Sequence, residues 1–231
     1  LLHDGRAGAR ADLAAVADAV WYPIWDCGVG LDHSVRTPRQ ALEVAEADLK
    51  AMLGLLELRH IAGDAALTDA VRARVRERWR AVAPSRVGQL RELSLERAVL
   101  AGDGAFLLEP DLKESRGGLR DGQAVRALAL AQLVDLPAAA GAAYASLLDV
   151  RGELHRACGR AEDVLRLQEQ SGVGSALQLD TARETAADQV LRSVNLAART
   201  IGHALDSALR RSAPATPARR FGRVRPGGLA A

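Results

Sequence analysis

The chain has 231 residues, 48% of them hydrophobic, and a formal net charge of +2. A chain of this size and composition can bury a core in one large domain or two small ones. The small net charge argues against a dedicated nucleic-acid binder, because such domains concentrate basic residues, and no apolar run reaches the roughly 18 residues that a membrane span requires. Two cysteines, Cys27 and Cys158, are too few for a disulfide framework, so a reducing, cytoplasmic setting is the simplest interpretation.

The N-terminal part predicts a helix followed by a strand. The apolar face of the helix consists of Leu13, Val16, Ala17 and Val20. The helix should end near Tyr22-Pro23, and residues 29–36 then alternate apolar and polar positions, which is typical of a half-buried strand. Asp32 would point away from the core, while His33 would share the apolar face as a buried, hydrogen-bonded imidazole. An ordinary solvent-facing aspartate is the alternative for Asp32.

From Thr37 onward the patterns are helical. Thr37-Pro38-Arg39-Gln40 combines an N-cap, a proline at the first helical position and a capping-box glutamine, so a helix should start there and run to Gly63. Asp64 should cap the next helix, which would end at a turn around Pro84. A further helix would end at Gly102-Asp103-Gly104.

Three later helices are predicted, near residues 125–136, 144–158 and 184–210. The residues expected to face inward on the last two are Leu147, Leu148 and Leu154, then Val190, Val194, Ile201, Leu205 and Leu209. Residues 212–231 are rich in proline, arginine and glycine with almost no periodic apolar pattern, so they should not order themselves.

Residues 108–121 carry an unusual density of charge around a proline and a glycine pair. Pro110 stops any helix that arrives from the N-terminal side, and Gly117-Gly118 permits positive φ and close backbone approach. Asp121 can then cap the following helix.

Lys113, Arg116 and Arg120 would add positive charge to free amides at that helix N-terminus, a combination that holds a polyphosphate well. The alternative is a charged interhelical turn in which Asp111 and Asp121 pair with these cations.

The run Glu109-Pro110-Asp111-Leu112-Lys113, three residues, then Gly117-Gly118-Leu119-Arg120-Asp121, resembles a signature of bacterial PII uridylyltransferases (uridylyl-removing enzymes). In that family the signature lies in the helical domain that follows the nucleotidyltransferase core. Residues 31–37 and 57–64 resemble the same family in the same order and separation. The resemblance covers residues 1 to 211, and a related pattern occurs in the adenylyltransferase that acts on glutamine synthetase.

The resemblance implies transfer of UMP from UTP to a tyrosine of the PII signalling protein, with Mg²⁺. It implies that Asp32 is a catalytic residue and the third of three metal-binding carboxylates. It also implies that the cations of the motif and the Gly117-Gly118 backbone face the triphosphate or brace the core. The cations are Lys113, Arg116 and Arg120, and the residues expected to support the motif are Glu109, Asp111 and Asp121.

The predicted fold is mainly α, a helical bundle that follows a truncated α/β nucleotidyltransferase core. Residues 1–37 would be the remnant of that core, residues 38–211 the helical domain and residues 212–231 a basic linker. By resemblance, two metal carboxylates precede this chain and HD and ACT domains follow it, so the chain alone should be inactive. The alternatives are a protein adenylyltransferase and a non-catalytic helical module that binds another protein.

Overall fold

The computed structural model describes residues 1–5, 10–28, 30–179 and 183–212. Across these residues the secondary structure consists of α-helices, with isolated bridges in place of strands. The mainly α fold predicted from the sequence is therefore confirmed. The helices are α1 (Arg10–Asp26), α2 (Pro38–Ala47), α3 (Leu49–Leu56), α4 (Ala65–Ala101), α5 (Leu119–Leu130), α6 (Ala138–Cys158), α7 (Leu167–Ala176) and α8 (Ala186–Ser212).

The strand predicted for residues 29–36 does not form over the described part, residues 30–36. Only its end pairs: the Arg36 N–H donates to the Leu1 carbonyl (3.0 Å), and the His3 N–H donates to the Arg36 carbonyl (3.1 Å). A strand needs a partner along its length, and the first residues of the chain supply a single parallel bridge. The alternating pattern therefore has no sheet to face.

Without a sheet, His33 is exposed, so the prediction of a buried imidazole is wrong. Its ring lies against two indoles of α1, with centroids 4.4 Å from Trp21 and 5.0 Å from Trp25.

α1 continues through Pro23 to Asp26, beyond its predicted end, because the φ angle of proline is compatible with a helix even though one hydrogen bond is lost. α1 packs against none of the other described helices.

The helix start at Thr37 is confirmed. The Thr37 hydroxyl accepts from the Gln40 N–H (3.3 Å), and the Gln40 side-chain carbonyl accepts from the Thr37 N–H (2.9 Å), which completes the capping box. The single helix predicted here is two helices, α2 and α3, because Asp48 interrupts it. The Asp48 carboxylate accepts from the Lys50 N–H (2.8 Å), and such a local bond competes with a continuous helix.

α4 begins at the predicted cap, where the Asp64 carboxylate accepts from the Ala66 N–H (2.9 Å). The predicted turn at Pro84 is wrong, because this proline lies inside α4. An interior proline costs about 3 kcal/mol, but the buried face continues in phase on both sides of it and offsets that cost. The apolar residues of the buried face are Val71, Val75, Trp79, Ala83, Val87 and Leu90.

α8 connects the two apolar clusters of the core. The first cluster lies between α2, α3, α4 and α5 and includes Leu205 and Leu209 of α8. The second lies between α6, α7 and the segment around Leu112–Leu119, and it includes Val190, Val194 and Ile201 of α8. The sequence predicts all five α8 residues to face inward, and all five are buried.

Other details of the C-terminal half differ from the prediction. α5 ends at Leu130 instead of continuing to residue 136, since Gln132 has a φ of +61°, which a right-handed helix does not contain. Leu148 on α6 is 43% exposed and does not face inward. Of the predicted tail, Ser212 ends α8, and residues 213–231 lie outside the described residues. The boundaries after residues 37 and 211 stay predictions.

Candidate functional site

The central motif forms an ordered loop, residues 102–118, between α4 and α5; we call it the motif loop. On one side the Arg116 N–H donates to the Gly102 carbonyl (2.9 Å), which ties the loop to the end of α4. On the other side the Leu112 N–H donates to the Asp163 carbonyl (2.7 Å), which ties the loop to the segment before α7. Backbone pairing on two sides therefore holds the loop in one conformation.

The Gly117-Gly118 pair allows the backbone of the loop to pack closely. Gly117 has the predicted positive φ (+79°), and a methyl group there would lie 2.6 Å from the carbonyl carbon of Ala198 on α8. Gly118 has an ordinary φ of −73°, but a methyl group there would lie 2.8 Å from the Ser115 carbonyl oxygen. The absence of side chains at these two glycines therefore lets α8 approach Gly117 and lets another part of the loop approach Gly118.

Asp121 stabilises the start of α5 from inside the helix. The N-cap residue is Gly118, so the prediction that Asp121 is the cap is wrong. Asp121 is 1% exposed, and its carboxylate accepts from the Gly117 N–H (2.9 Å), the Ser94 hydroxyl (2.9 Å) and the Arg97 guanidinium (2.7 Å). A carboxylate in the first helical turn reaches back to the preceding amide and opposes the positive end of the helix dipole.

The amides at the start of α5 are engaged within the chain. The Leu119 N–H donates to the Leu112 carbonyl (2.9 Å), and the Arg120 N–H donates to the Lys113 carbonyl (3.0 Å). The expectation that these amides are free is therefore wrong, because the loop folds back over the helix end. An anion held here must be bound by side chains.

Lys113 points to a carboxylate far away in the sequence. Its ammonium lies 3.2 Å from the Asp163 carboxylate, which also accepts from the Arg151 guanidinium (2.6 Å). Burial alone would raise the pKa of Asp163, but the hydrogen bonds and charges of Arg151 and Lys113 outweigh it, so the pKa is lowered. Asp163 is therefore ionised at neutral pH and binds both cations.

Arg116 faces α8, where its guanidinium lies 2.6 Å from the Asp206 carboxylate. Among the described residues, the Asp111 carboxylate bonds only to backbone: one of its oxygens accepts from the N–H groups of Lys113 and Glu114, both at 2.8 Å. The alternative in which Asp111 and Asp121 pair with the three predicted cations is thus wrong. Arg116 and Lys113 point to different places, because Arg116 binds Asp206 on α8 and Lys113 binds Asp163 in the segment before α7.

Glu114 is the point where cations converge. Its carboxylate lies 3.5 Å from Arg120 Nε, 3.8 Å from Lys113 Nζ and 3.9 Å from Arg97 Nε. Neither Glu114 nor Arg97 was predicted from the sequence as a site residue. The position of Glu114 next to Lys113 was the only sequence signal for it, and nothing in the sequence connects Arg97, on α4, with the motif.

A cleft of about 290 Å³ opens beside Glu114, between α3, α4 and α5. Its charged residues are Lys50, Glu96, Arg97, Glu114 and Arg120, and we call it the cation cleft for its three basic members. Its apolar walls include Leu53, Leu90, Leu93 and Leu100. Cations beside apolar walls interact more strongly with an anion than cations in open water do.

Glu109 connects the motif loop to α7. Its carboxylate accepts from the Leu167 N–H (2.9 Å) at the start of that helix, where a negative charge is favourable. Nearby, the Gln170 amide of α7 is 3% exposed and donates to the Leu108 carbonyl (2.7 Å). These contacts give the residues before Pro110 a fixed place against α7.

Asp32 lines a different cleft, of about 740 Å³, between α1 and the start of α4. The same cleft is lined by His60 and Asp64, so it brings together the two shorter motif stretches, residues 31–37 and 57–64. Lys113, Arg116 and Arg120 do not line it.

The Asp32 carboxylate is exposed, and a divalent metal ion would need further ligands beside it. Within residues 1–5, 10–28, 30–179 and 183–212, no group of three or more His, Cys, Asp and Glu side chains is arranged to hold a metal ion. The described residues therefore do not form a complete metal site around Asp32.

Comparison with known proteins connects these sites to a family. Residues 70–209, more than half of the chain, match the family model described as GlnD PII-uridylyltransferase. The chain belongs to the GlnD PII-uridylyltransferase family. The matched region includes the motif loop, α5 to α7 and most of α4 and α8.

Curated relatives in this family carry the name bifunctional uridylyltransferase/uridylyl-removing enzyme. The chain is 53% identical to that of Streptomyces coelicolor over 207 residues, which is 89% of this chain and 24% of the relative. It is 47% identical to that of Mycobacterium tuberculosis over an alignment of 229 positions that covers 95% of this chain and 27% of the relative. The chain thus spans about a quarter of the length of these relatives.

No solved structure matches this member of the GlnD PII-uridylyltransferase family. In the part of the chain that the structure describes, the helices are either too short or too polar to cross a bilayer.

Proposed function

We propose that this chain is part of a nucleotidyltransferase that moves UMP from UTP to a tyrosine of the PII signalling protein. In this reaction the tyrosine oxygen attacks the α-phosphorus of UTP, the tyrosine loses its proton, and pyrophosphate leaves. The observation that carries the proposal is the family membership, together with relatives named uridylyltransferases at identities up to 53%. Those names favour uridylyl transfer over the adenylyl transfer that the motif alone left open.

In this proposal, Lys113 and Arg120 contact the phosphates of UTP. Both cations lie within 4 Å of the Glu114 carboxylate, which lines the cation cleft, and this position supports the role because charge-assisted contacts to phosphate oxygens are strong. Arg116 braces the loop against α8 through Asp206.

The remaining motif residues keep the loop in the shape that presents these cations. Gly117 and Gly118 contribute through backbone packing, and Glu109, Asp111 and Asp121 contribute through hydrogen bonds to amides.

We propose Asp32 as one carboxylate ligand of a divalent metal, with Mg²⁺ as the ion. The oxygen donor suits Mg²⁺, which prefers carboxylates and water. A complete site would need carboxylates beyond those that the structure describes around Asp32. A cytoplasmic location belongs to the same proposal, supported by the two free thiols, Cys27 and Cys158.

The test uses the Streptomyces coelicolor relative with its matching segment replaced by this chain. Purified chimera, PII protein and UTP labelled at the α-phosphate should give labelled PII, and the same assay with labelled ATP should not. In the chimera, Lys113→Ala and Arg120→Ala should lower kcat/KM for UTP about ten- to hundredfold, because each removes a charge-assisted phosphate contact.

Arg39→Ala serves as the control, since its exposed ion pair with Glu43 on α2 lies outside both clefts. Circular dichroism of each variant verifies folding. A folded chimera that labels PII only from ATP would refute the proposal, and unchanged kcat/KM in both motif variants would remove the phosphate role.

A further inference from the structure

We propose that the Glu114 carboxylate is an internal counter-ion of the cation cleft, and that a pyrophosphate-like anion displaces it on binding. The inference deepens the proposed function, on which it rests for the identity of the natural ligand, the phosphates of UTP. Anion binding itself can be measured without any UMP transfer.

The contacts of Glu114 are too long for direct hydrogen bonds. Its three cation distances, 3.5, 3.8 and 3.9 Å, all exceed the usual range of about 2.7–3.2 Å. Two neighbouring ion pairs are shorter: Arg116 of the motif loop lies 2.6 Å from Asp206 on α8, and Arg97 on α4 lies 2.7 Å from Asp121 on α5. Glu114 is also 37% exposed, so a loose, solvent-screened attraction holds its carboxylate.

The cleft contains donors that the chain leaves unused. Among the described residues the Lys50 ammonium forms no ion pair, and it lines the cleft from α3. The buried Nε of Arg97 has no hydrogen-bond partner among the described residues. A buried donor without a partner is costly, so a ligand oxygen or a rearranged carboxylate would be favoured there.

The size of the cleft limits the ligand. Its volume of about 290 Å³ is at the small end of ligand pockets, which suits two linked phosphoryl groups better than a whole nucleotide. A pyrophosphate carries more charge than one carboxylate and offers more acceptor oxygens, so it can bond to Lys50, Arg97 and Arg120 together.

Displacement needs movement of one side chain only. The Glu114 N–H donates to the Asp111 carboxylate (2.8 Å), so the backbone stays in place while the side chain rotates into solvent. Arg97 keeps its bond to Asp121 throughout, so the start of α5 is not disturbed. Glu114 thereby neutralises the cations when the cleft is empty and competes with the incoming anion.

The experiment measures binding of inorganic pyrophosphate to the 231-residue chain by calorimetry at low ionic strength without metal. Glu114→Gln keeps the size of the side chain and removes the competing charge, so it should tighten Kd about tenfold. Lys50→Gln and Arg120→Gln should each weaken binding about tenfold, because each removes one phosphate contact. Arg39→Gln, on α2, is the matched control and should leave Kd unchanged.

Equal or weaker pyrophosphate binding by folded Glu114→Gln would overturn the counter-ion role. Binding that is insensitive to Lys50→Gln would overturn the site, since it would indicate an adventitious ion only. Thermal melts of every variant verify that changes in Kd do not come from unfolding. If the chimera fails to transfer UMP while pyrophosphate binding is intact, the result counts against the proposed function. If the chimera transfers UMP while Glu114→Gln does not tighten the Kd for pyrophosphate, the result counts against this inference alone.

Discussion

Gly117 is the residue at which a single methyl group should disturb the motif most. Two independent effects oppose a side chain at this position. The φ of +79° is unfavourable for any residue with a Cβ, and that Cβ would lie 2.6 Å from the carbonyl carbon of Ala198, with the oxygen closer still. The clash is between a Cβ, whose position its own backbone fixes, and the backbone of Ala198, so no side-chain rotation can relieve it.

The magnitude follows from adding these effects. A strained backbone conformation costs of order 1–3 kcal/mol, and overpacking a tight contact typically costs about 1–3 kcal/mol more. Gly117→Ala should therefore destabilise the fold by about 2–6 kcal/mol. At about 3 kcal/mol, Tm should fall by about 6–12 °C for a domain of this size.

The assay is thermal unfolding followed by circular dichroism, with Gly141→Ala as the matched control. Gly141 lies inside α6, and a methyl group there would meet nothing within 4 Å. This change should raise stability by about 0.5–1 kcal/mol, because alanine loses less backbone entropy than glycine in a helix. A Gly117→Ala variant that melts within 2 °C or so of the wild type would refute the packing of the loop against α8.

Other changes test the polar contacts and the ends of the chain. Asp121→Ala leaves Arg97 without its buried partner and should lower the free energy of unfolding, measured by chemical denaturation, by about 3 kcal/mol or more. Asp69→Ala, at an exposed pair on α4, should lower it by under about 1 kcal/mol. Equal losses would contradict the burial of the Asp121 pair. Because the pKa of Asp163 is lowered on folding, its stabilising effect is present above the ordinary aspartate value of 3.8 and disappears as pH falls through the folded value. The stability difference between wild type and Asp163→Asn should therefore be largest near neutral pH and vanish in acid, and a constant difference would refute the ion-pair account. A chain that ends at Arg211 should keep its helical signal and Tm, so a large loss would show that the last residues pack. The 231-residue chain alone should transfer little or no UMP to PII, since its described residues hold no complete metal site, and robust Mg²⁺-dependent labelling would contradict that expectation.

Local sequence determined the starts and ends of several helices. The capping box at Thr37, the N-cap at Asp64 and the stop at Gly102 depend on residues within about four positions of one another, and all three form as predicted. The inward face of α8 was equally predictable, because its apolar spacing follows the helical period over its whole length.

Tertiary structure decided the features that depend on distant parts of the chain. The alternating residues 30–36 form no strand, because, in the part of the chain that the structure describes, the first residues pair with them through a single bridge. Pro84 lies inside α4 because the packed face on both sides of it offsets the lost hydrogen bond.

In the candidate site, too, local sequence determined some features and tertiary structure decided others. The motif and its cations were visible in the sequence, but their partners were not: Lys113 binds Asp163, 50 positions away, and Arg116 binds Asp206, 90 positions away. Glu114 and Arg97 meet only because α4 and α5 pack side by side around the loop. Charge pairing depends on distances of a few ångströms in space, and only the packed helices set those distances.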